Sequence, residues 1–397
     1  MEGVPLTFMT TQTEPTAFYP PEGFGAPKDR VASGAGPVGL PQGTQVFSAD
    51  DHISLAEDIF YQRLPASMRE NAPRIWYSDG AFELGAMGTS FLPPQFTHVL
   101  MQYDPLKGSS TADLDARLEQ LAADGVDREL AFPNALLALL HFPDKALREA
   151  CFRVYNEYIA ELQERAKGRF YGVGLINWWD ADGATRTLTE LKALGVKTFL
   201  LPLSPGKDDN GKPIDYGSTA MNGVWDAIEE SGVAVSHHIG ETGLSTPCEH
   251  NMMLVAMICQ VASFREMFGK YLFTGILDRH PGLKIGWFEG GVNWVPAALQ
   301  DAEHMLASYQ HMRTREVEHD VRYYWRTHMY SSFMVDPLGL SLVDQIGAGR
   351  IMWSSDFPHN ESTFGYSRRS LSAVVDSVGP ERAEQIVSGN VQAFLGI

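Results

Sequence analysis

Residues 46–53, VFSADDHI, form a short apolar run that ends in two carboxylates and an imidazole. Alternate side chains of a strand share a face, so Asp50 and His52 would lie together and Asp51 would face the other way. Taken alone, the run also fits a chain that leaves the core through a helix cap and a hydrogen-bonded histidine. The following DDHISLAED (50–58) contains no glycine. A doubly wound dinucleotide-binding fold usually has a glycine-rich phosphate-binding turn after its first strand, so the absence of glycine here argues against that fold.

From residue 45 onward, short apolar runs alternate with longer amphipathic ones. The apolar runs predict strands at 45–50, 129–133, 170–177, 196–202, 233–238, 283–289, 328–333 and 350–354. The amphipathic runs predict helices at 112–123, 145–166, 183–194, 223–230, 252–268 and 294–311. Strand–helix alternation favours parallel βαβ units. Eight strands over about 350 residues predict an α/β fold of the (β/α)₈ TIM barrel type.

Two segments lack this alternation. Residues 1–45 hold seven prolines and seven glycines, which predicts an irregular N-terminal arm that either packs through its aromatic residues or stays a floppy tail. Residues 62–110 have no clean periodicity and are predicted to form a large insertion after the first strand. We therefore expect an arm at 1–45 and one barrel domain at 46–397 that carries the insertion.

Composition excludes several classes of partner. The 397 residues contain 31 Lys and Arg against 49 Asp and Glu, for a net charge of −18. This field repels nucleic acid and anionic membrane surfaces, so we expect neither as a partner. Cys151, Cys248 and Cys259 provide neither a disulfide framework nor a thiolate metal cage. With no secretory leader and no run of 18 apolar residues, the sequence predicts a cytoplasmic protein.

Polar residues stand at the ends of four predicted strands, where a barrel of this kind carries its catalytic groups. They are Asp50, Asp51 and His52 after the first strand, His237, His238 and Glu241 after the fifth, Glu289 after the sixth, and Asp356, His359 and Glu361 after the eighth. Each alone has an ordinary explanation as a cap, a turn or a packed histidine. Together they form a set of imidazoles and carboxylates that suits Zn²⁺, Fe²⁺ or Mn²⁺.

With these residues, the chain resembles the amidohydrolase superfamily, in particular the amidohydrolase-related branch that includes aromatic-acid and aminocarboxymuconate-semialdehyde decarboxylases. The resemblance runs from about residue 45 to the end. Its motifs include SADDHI (48–53), VAVSHHIG (233–240), LDRHPGLKIGWFEGGVNW (277–294) and IMWSSDFPHNES (351–362).

The resemblance implies a barrel whose metal is held by Asp50, His52, His238 and Asp356. The chain departs from the family pattern at Asp50, where many members have histidine or glutamate, and at Glu289, where many have histidine. We count Glu289 as a further candidate ligand. Oxygen-rich ligation shifts the preference from zinc towards iron or manganese and leaves one or two ions open. His237, Glu289 and His359 are the spare groups for a second ion.

Three functions remain open. The first is metal-dependent hydrolysis of an amide, ester or thioester, with Asp356 as ligand and base and with His237 or His359 stabilising the oxyanion or assisting the leaving group. The alternative is a non-oxidative decarboxylase of an aromatic or unsaturated carboxylic acid, which usually needs a nearby arginine. Arg63, Arg74, Arg368 and Arg369 are the candidates for that task. The third is a barrel that binds a ligand without turnover.

Aromatic and thioether residues near the strand ends suit a sizeable apolar small-molecule substrate, although barrel packing explains them equally well. They are Trp178, Trp179, Trp294, Met334, Phe357, Phe364 and Tyr366. The resemblance also leaves a homodimer open.

Overall fold

A computed structural model describes residues 19, 23–25, 29–36, 38–55, 58–78, 81–86, 89–90, 113–133, 139–140, 142–208, 210–241 and 249–397. The strands are β1 (Phe47–Ile53), β2 (Arg74–Ser78), β3 (Ala81–Ala86), β4 (Thr89–Ser90), β5 (Arg128–Pro133), β6 (Phe170–Leu175), β7 (Thr198–Leu200), β8 (Ala234–His238), β9 (Ile285–Phe288), β10 (Met329–Phe333) and β11 (Ile351–Trp353).

Strands β1 and β5 to β11 form one eight-stranded sheet, in chain order and with every pair parallel. Residues just beyond β11 bring the two edges of the sheet together, because the amide of Asp356 donates to the carbonyl of Asp50 (2.7 Å) and the amide of His52 to that of Phe357 (2.7 Å). The predicted (β/α)₈ barrel is thereby confirmed. Each predicted barrel strand is present, several of them shorter than their apolar runs; 196–202, for example, gives only Thr198–Leu200.

Helices cover the outside of the barrel. They are α1 (Ile59–Arg63), α2 (Leu114–Ala123), α3 (Lys145–Ala166), α4 (Ala181–Ala193), α5 (Asn222–Ser231), α6 (Met252–Cys259), α7 (Val261–Phe273), α8 (Ile276–Arg279), α9 (Trp294–Ser308), α10 (Val321–His328), α11 (Pro337–Ser341), α12 (Val343–Ile346), α13 (Ser367–Val378), α14 (Pro380–Glu384) and α15 (Asn390–Leu395). Asp180 caps α4 by accepting a hydrogen bond from the amide of Gly183 (2.7 Å). The helix predicted at 252–268 is wrong as a single element, because the chain forms α6 and α7 there.

Two segments lie outside the barrel sheet. In the segment that we predicted to be an insertion, β2, β3 and β4 form a separate antiparallel sheet between β1 and β5, and residues 91–110 lie outside the described part of the chain. The described part of the N-terminal arm packs on the body of the protein, with Leu40 buried and Phe24 edge-on against Tyr366 at 5.8 Å. Within the described residues, every helix is too short or too polar to cross a membrane.

Candidate metal centre

Strand β1 contributes three consecutive polar residues to the carboxyl end of the barrel. Asp50, Asp51 and His52 are all buried, and the pairing of β1 with β5 shifts register between Ser48 and Asp51. Asp51 points away from its neighbours and accepts hydrogen bonds from the hydroxyl of Ser355 and, at 2.7 Å, from the amide of Phe357. Asp51, which lies between the candidate ligands Asp50 and His52, thus binds both sequence neighbours of Asp356.

Five candidate ligands from four strands converge at this end of the barrel. His238 Nε2 lies 3.3 Å from Asp50 Oδ1 and 3.1 Å from Glu289 Oε2. His52 Nε2 lies 3.2 Å from Asp356 Oδ1, 3.7 Å from Asp50 Oδ1 and 3.8 Å from Glu289 Oε2. The structure therefore brings together the residues that the sequence separates by more than 300 positions.

Backbone geometry aims two of the carboxylates inwards. Glu289 and Asp356 follow β9 and β11 in the left-handed region, with φ of 66° and 57°. Non-glycine residues rarely adopt this conformation, and such outliers gather at functional sites. Asp356 is held there by the hydrogen bond that its backbone amide donates to the carbonyl of Asp50, and the glycine pair at 290–291 lets the chain turn directly after Glu289. These strained positions support a functional role for both carboxylates.

The electrostatics of the cluster fit a bound cation. Burial raises the pKa of Asp356 to about 7 and, with the Asp356 charge, raises that of Glu289 well above its usual range. Burial acts to lower the pKa of His238, but the carboxylates of Asp50 and Glu289 raise it to about 9. Asp50 Oδ2 and both ring nitrogens of His52 are buried without a hydrogen-bond partner. A divalent ion would neutralise the carboxylates and supply the missing partners.

The histidine of strand β8 is oriented for this task. His238 Nδ1 donates to the carbonyl of Ile239 at 2.6 Å, which leaves Nε2 facing the carboxylates. Metal-ligating histidines commonly donate their second ring nitrogen to a backbone carbonyl in this way. Phe132 packs against the ring of His238 with centroids 4.7 Å apart and so forms a wall of the cluster.

His237 is not brought into the cluster. Its ring Nδ1 donates to the carbonyl of Leu201 at 2.8 Å, and Nε2 accepts from the hydroxyl of Tyr271 at 2.9 Å. The ring stacks on Trp287, and burial lowers its pKa to about 3. Consecutive strand residues face opposite sides, so His237 fills the layer between sheet and helices. These contacts favour a structural role for His237 over the catalytic and second-ion roles that we predicted for it.

His359 lies at the mouth of the cluster. Its Nδ1 is 3.0 Å from Asp356 Oδ1, and its ring lies 3.9 Å from that of His52. Burial acts to lower the pKa of His359, but the Asp356 carboxylate raises it to about 10. The side chain is 23% exposed, whereas that of Asp356 is fully buried. His359 is thus placed between solvent and the buried carboxylate.

The aromatic residues that we predicted near the substrate mostly pack against other aromatic side chains in the protein interior. Trp178 and Trp179 pack edge to face at 5.0 Å, Trp294 packs on Trp287 at 5.6 Å, and Phe357 packs on Phe364 at 5.1 Å. All of the six aromatic side chains are buried, and Met334 is partly buried. Their packing contacts account for them without a substrate.

Sequence reasoning missed a buried ion pair near the cluster. Arg117 of α2 donates two hydrogen bonds to Glu129 of β5, from Nε to Oε1 at 2.9 Å and from Nη2 to Oε2 at 2.6 Å. The guanidinium also lies 5.1 Å from the ring of Phe357. A glutamate within the apolar run of β5 was the only sequence signal, because a buried carboxylate requires a partner.

The family model described as Amidohydrolase matches residues 89–397, more than half of the chain. The chain belongs to the amidohydrolase family. The family resemblance that we drew from the motifs is thereby confirmed, and the protein is an enzyme of this superfamily. The match includes His238, Glu289 and Asp356 but not β1. No curated protein matches the chain.

Solved structures place this amidohydrolase among proteins of the same fold. An amidohydrolase from Mycobacterium avium subsp. paratuberculosis K-10 is 19% identical, with a TM-score of 0.69 over 90% of this chain and 99% of that one. A 2,6-dihydroxybenzoate decarboxylase from Rhizobium is 16% identical, with a TM-score of 0.63 over 89% and 99%. A 5-carboxyvanillate decarboxylase from Novosphingobium aromaticivorans, complexed with manganese and 4-hydroxy-3-methoxy-5-nitrobenzoic acid, is 15% identical, with a TM-score of 0.64 over 92% and 99%. At these identities the likeness shows the fold.

Proposed function

We propose that this amidohydrolase is a metal-dependent, non-oxidative decarboxylase of an aromatic carboxylic acid. The observation that carries the proposal is the convergence of carboxylate and imidazole ligands beside the accessible His359. The 2,6-dihydroxybenzoate decarboxylase and the 5-carboxyvanillate decarboxylase among the similar structures support the lyase over the hydrolase. This reverses the order of the two hypotheses drawn from the sequence, since acyl-bond hydrolysis is favoured only by the name of the family and by the name of the similar protein from Mycobacterium avium.

We propose one Mn²⁺ as the resident ion, held by Asp50, His52, His238, Glu289 and Asp356. Three carboxylates and two imidazoles form an oxygen-rich set of ligands without a thiolate, and carboxylate ligands suit manganese. One of the similar structures contains manganese. The candidate ligands in the described residues form two groups, one of Asp50, His52 and His238 and one of His52, Glu289, Asp356 and His359, and because they overlap at His52 we propose one ion between them. When bound, the ion would supply the positive charge that holds an anionic substrate.

Asp356 and His359 are the groups that we propose to move protons. In the carboxylic acid form, Asp356 would donate its proton to the ring carbon that carries the carboxylate. The bond to that carboxylate then breaks, its electron pair restores the aromatic ring, and CO₂ leaves. Asp356 must regain one proton from water per turnover, and His359 lies 3.0 Å away on the exposed side. His359 is therefore proposed to return this proton.

Three of the four arginines that we considered for a substrate carboxylate are engaged elsewhere. Arg63 pairs with Glu161 at 2.8 Å, and Arg74 lies 4.0 Å over the ring of Tyr61. Arg369 lies over the ring of Tyr366 at 5.4 Å. We propose that the metal charge and His359 take the place of an arginine in holding the substrate carboxylate.

The test is a paired assay on protein loaded with Mn²⁺, Zn²⁺ or Fe²⁺. One arm offers hydroxybenzoic acids labelled with ¹³C at the carboxylate and measures labelled CO₂. The other arm offers aryl esters, amides and thioesters and measures acid release. We expect labelled CO₂ with equimolar arene, highest with Mn²⁺. Acid release without CO₂ would establish the hydrolase instead, and protein that takes up no transition metal would exclude both enzymes.

A further inference from the structure

One arginine joins the N-terminal arm to the loop that follows β11. Arg30 is half-buried, and its guanidinium donates hydrogen bonds to backbone carbonyls on both sides of the junction. On the loop these belong to Asn360, Ser362 and, at 3.1 Å, Phe364, and on the arm the acceptor is Gly25. A planar guanidinium with five N–H groups can bind several carbonyls at once, which an ammonium group cannot do in the same geometry.

Further contacts hold the same two segments together. Asp124 at the end of α2 accepts hydrogen bonds from the amide of Ser33 on the arm and, at 3.0 Å, from the amide of Gly365 on the loop. Gly365 has a φ of +76°, and a Cβ at that position would lie 2.8 Å from Cβ of Arg30. Only glycine therefore lets the arm approach this closely.

The loop held by Arg30 is the one that carries His359. The amide of His359 donates to the carbonyl of Asp356 at 2.9 Å, and the amide of Ser362 donates to the carbonyl of His359 at 3.2 Å. The carbonyls that Arg30 binds thus follow His359 by one, three and five residues. Because backbone groups of a buried loop need partners, the guanidinium takes part in fixing the conformation of this turn.

We infer that Arg30 is a positioning residue of the active site: through the loop carbonyls it fixes His359 beside Asp356. The arm, like β1, lies outside residues 89–397, the segment that matches the family model. The inference rests on the proposed function for its kinetic consequence, but its structural consequence can be measured without turnover.

The test compares Arg30→Ala and Arg30→Lys with Arg153→Ala as control. Arg153 is an exposed arginine of α3 that pairs with Glu190 at 3.1 Å. Misplacement of a catalytic group by about 1 Å can reduce rates ~100-fold, so we expect kcat to fall ~10- to 100-fold in both Arg30 variants. KM and manganese content should stay near those of the control. Added guanidinium ion should restore part of kcat in Arg30→Ala only.

A second readout separates this inference from the proposed function. Amide hydrogen exchange at 359–366 should be faster in both Arg30 variants than in the control, at equal metal content. This result would support the positioning role even if no acid were decarboxylated. Unchanged exchange, unchanged kcat, or a loss of kcat that follows loss of manganese would overturn it. If Arg30→Ala does not fold, Arg30→Lys retains the charge and is judged by the same outcomes.

Discussion

Asp356 combines three features that fit the proton donor that we propose: a buried carboxylate, a strained left-handed backbone and a partly exposed histidine at 3.0 Å. Its backbone amide donates to the carbonyl of Asp50, so the position of the main chain at Asp356 does not depend on the charge of the side chain. Replacement of the Asp356 carboxylate by an amide should therefore reduce proton transfer while leaving the fold intact.

We expect Asp356→Asn to reduce kcat for CO₂ release by about 1,000-fold, because an amide cannot donate and regain a proton in the same way. The far-ultraviolet circular dichroism spectrum should match that of the wild type. Asp376→Asn on α13 is the control. Near-normal kcat in Asp356→Asn would remove Asp356 from the mechanism.

His237 and His238 show how neighbouring identical residues take different tasks. His237 is buried in contacts with Leu201 and Tyr271, whereas His238 faces Asp50 and Glu289. We expect His238→Gln to lose manganese and His237→Gln to keep it. Metal analysis of the two purified variants checks this difference.

His237 should also make stability depend on pH. Burial lowers its pKa to about 3, whereas an exposed histidine has a pKa of about 6.5. Between these values the unfolded state binds the extra proton. The stabilisation is therefore complete above about pH 6.5 and falls as the pH drops towards 3.

We expect His237→Gln to flatten the dependence of unfolding free energy on pH in this window by up to about 1.4 kcal/mol per pH unit. Urea unfolding at several pH values measures the slope, with the exposed His311→Gln as control. An identical slope in wild type and His237→Gln would contradict the burial argument.

At the scale of elements, α2 and β5 are joined by the ion pair of Arg117 and Glu129, near the candidate metal centre. Both side chains are almost completely buried, and burial opposes the charge of Arg117 while Glu129 raises its pKa. Asp51, which holds the loop around Asp356, lies close enough for its carboxylate to add to this effect. Loss of one partner would leave an uncompensated charge near the site.

We expect Glu129→Gln to lower the unfolding free energy by about 3–5 kcal/mol, because it leaves the Arg117 charge buried and unpaired. The exposed pair of Arg153 and Glu190 provides the control, where Glu190→Gln should cost about 1 kcal/mol or less. Urea denaturation measures both. Equal small losses would show that the buried pair is not a coupled unit.

At the scale of the molecule, the barrel sheet brings Asp50, Glu289 and Asp356 into one buried space. The repulsion between their ionised forms opposes folding, and either a bound cation or protonation relieves it. We expect removal of the metal by a chelator to destabilise the protein, and Mn²⁺ at 100 times its Kd to restore about 2.7 kcal/mol. Thermal unfolding with and without Mn²⁺ measures this effect. Asp50→Asn should respond less, and a wild type indifferent to Mn²⁺ would argue against the metal centre.

Much of the fold follows from local patterns. The eight apolar runs from 45–50 to 350–354 each became a barrel strand, and the apolar periodicity of 145–166 matches α3 at both ends. The apolar residues on the buried face of a strand or helix recur every two to four positions. This pattern can therefore be recognised in the sequence without knowledge of distant contacts. The placement of polar residues at strand ends followed from the same alternation, because parallel strands end at one face of a barrel.

The order of the elements, the barrel and the polar residues at four strand ends could be predicted from the sequence alone. Three contacts could be found only in the folded chain: His237 faces away from the cluster, Arg117 pairs with Glu129, and Arg30 binds a loop 330 residues further along the chain. These contacts join residues with no periodic relation in sequence. They depend on how strands, helices and the arm meet in space, and no local pattern of hydrophobicity records that.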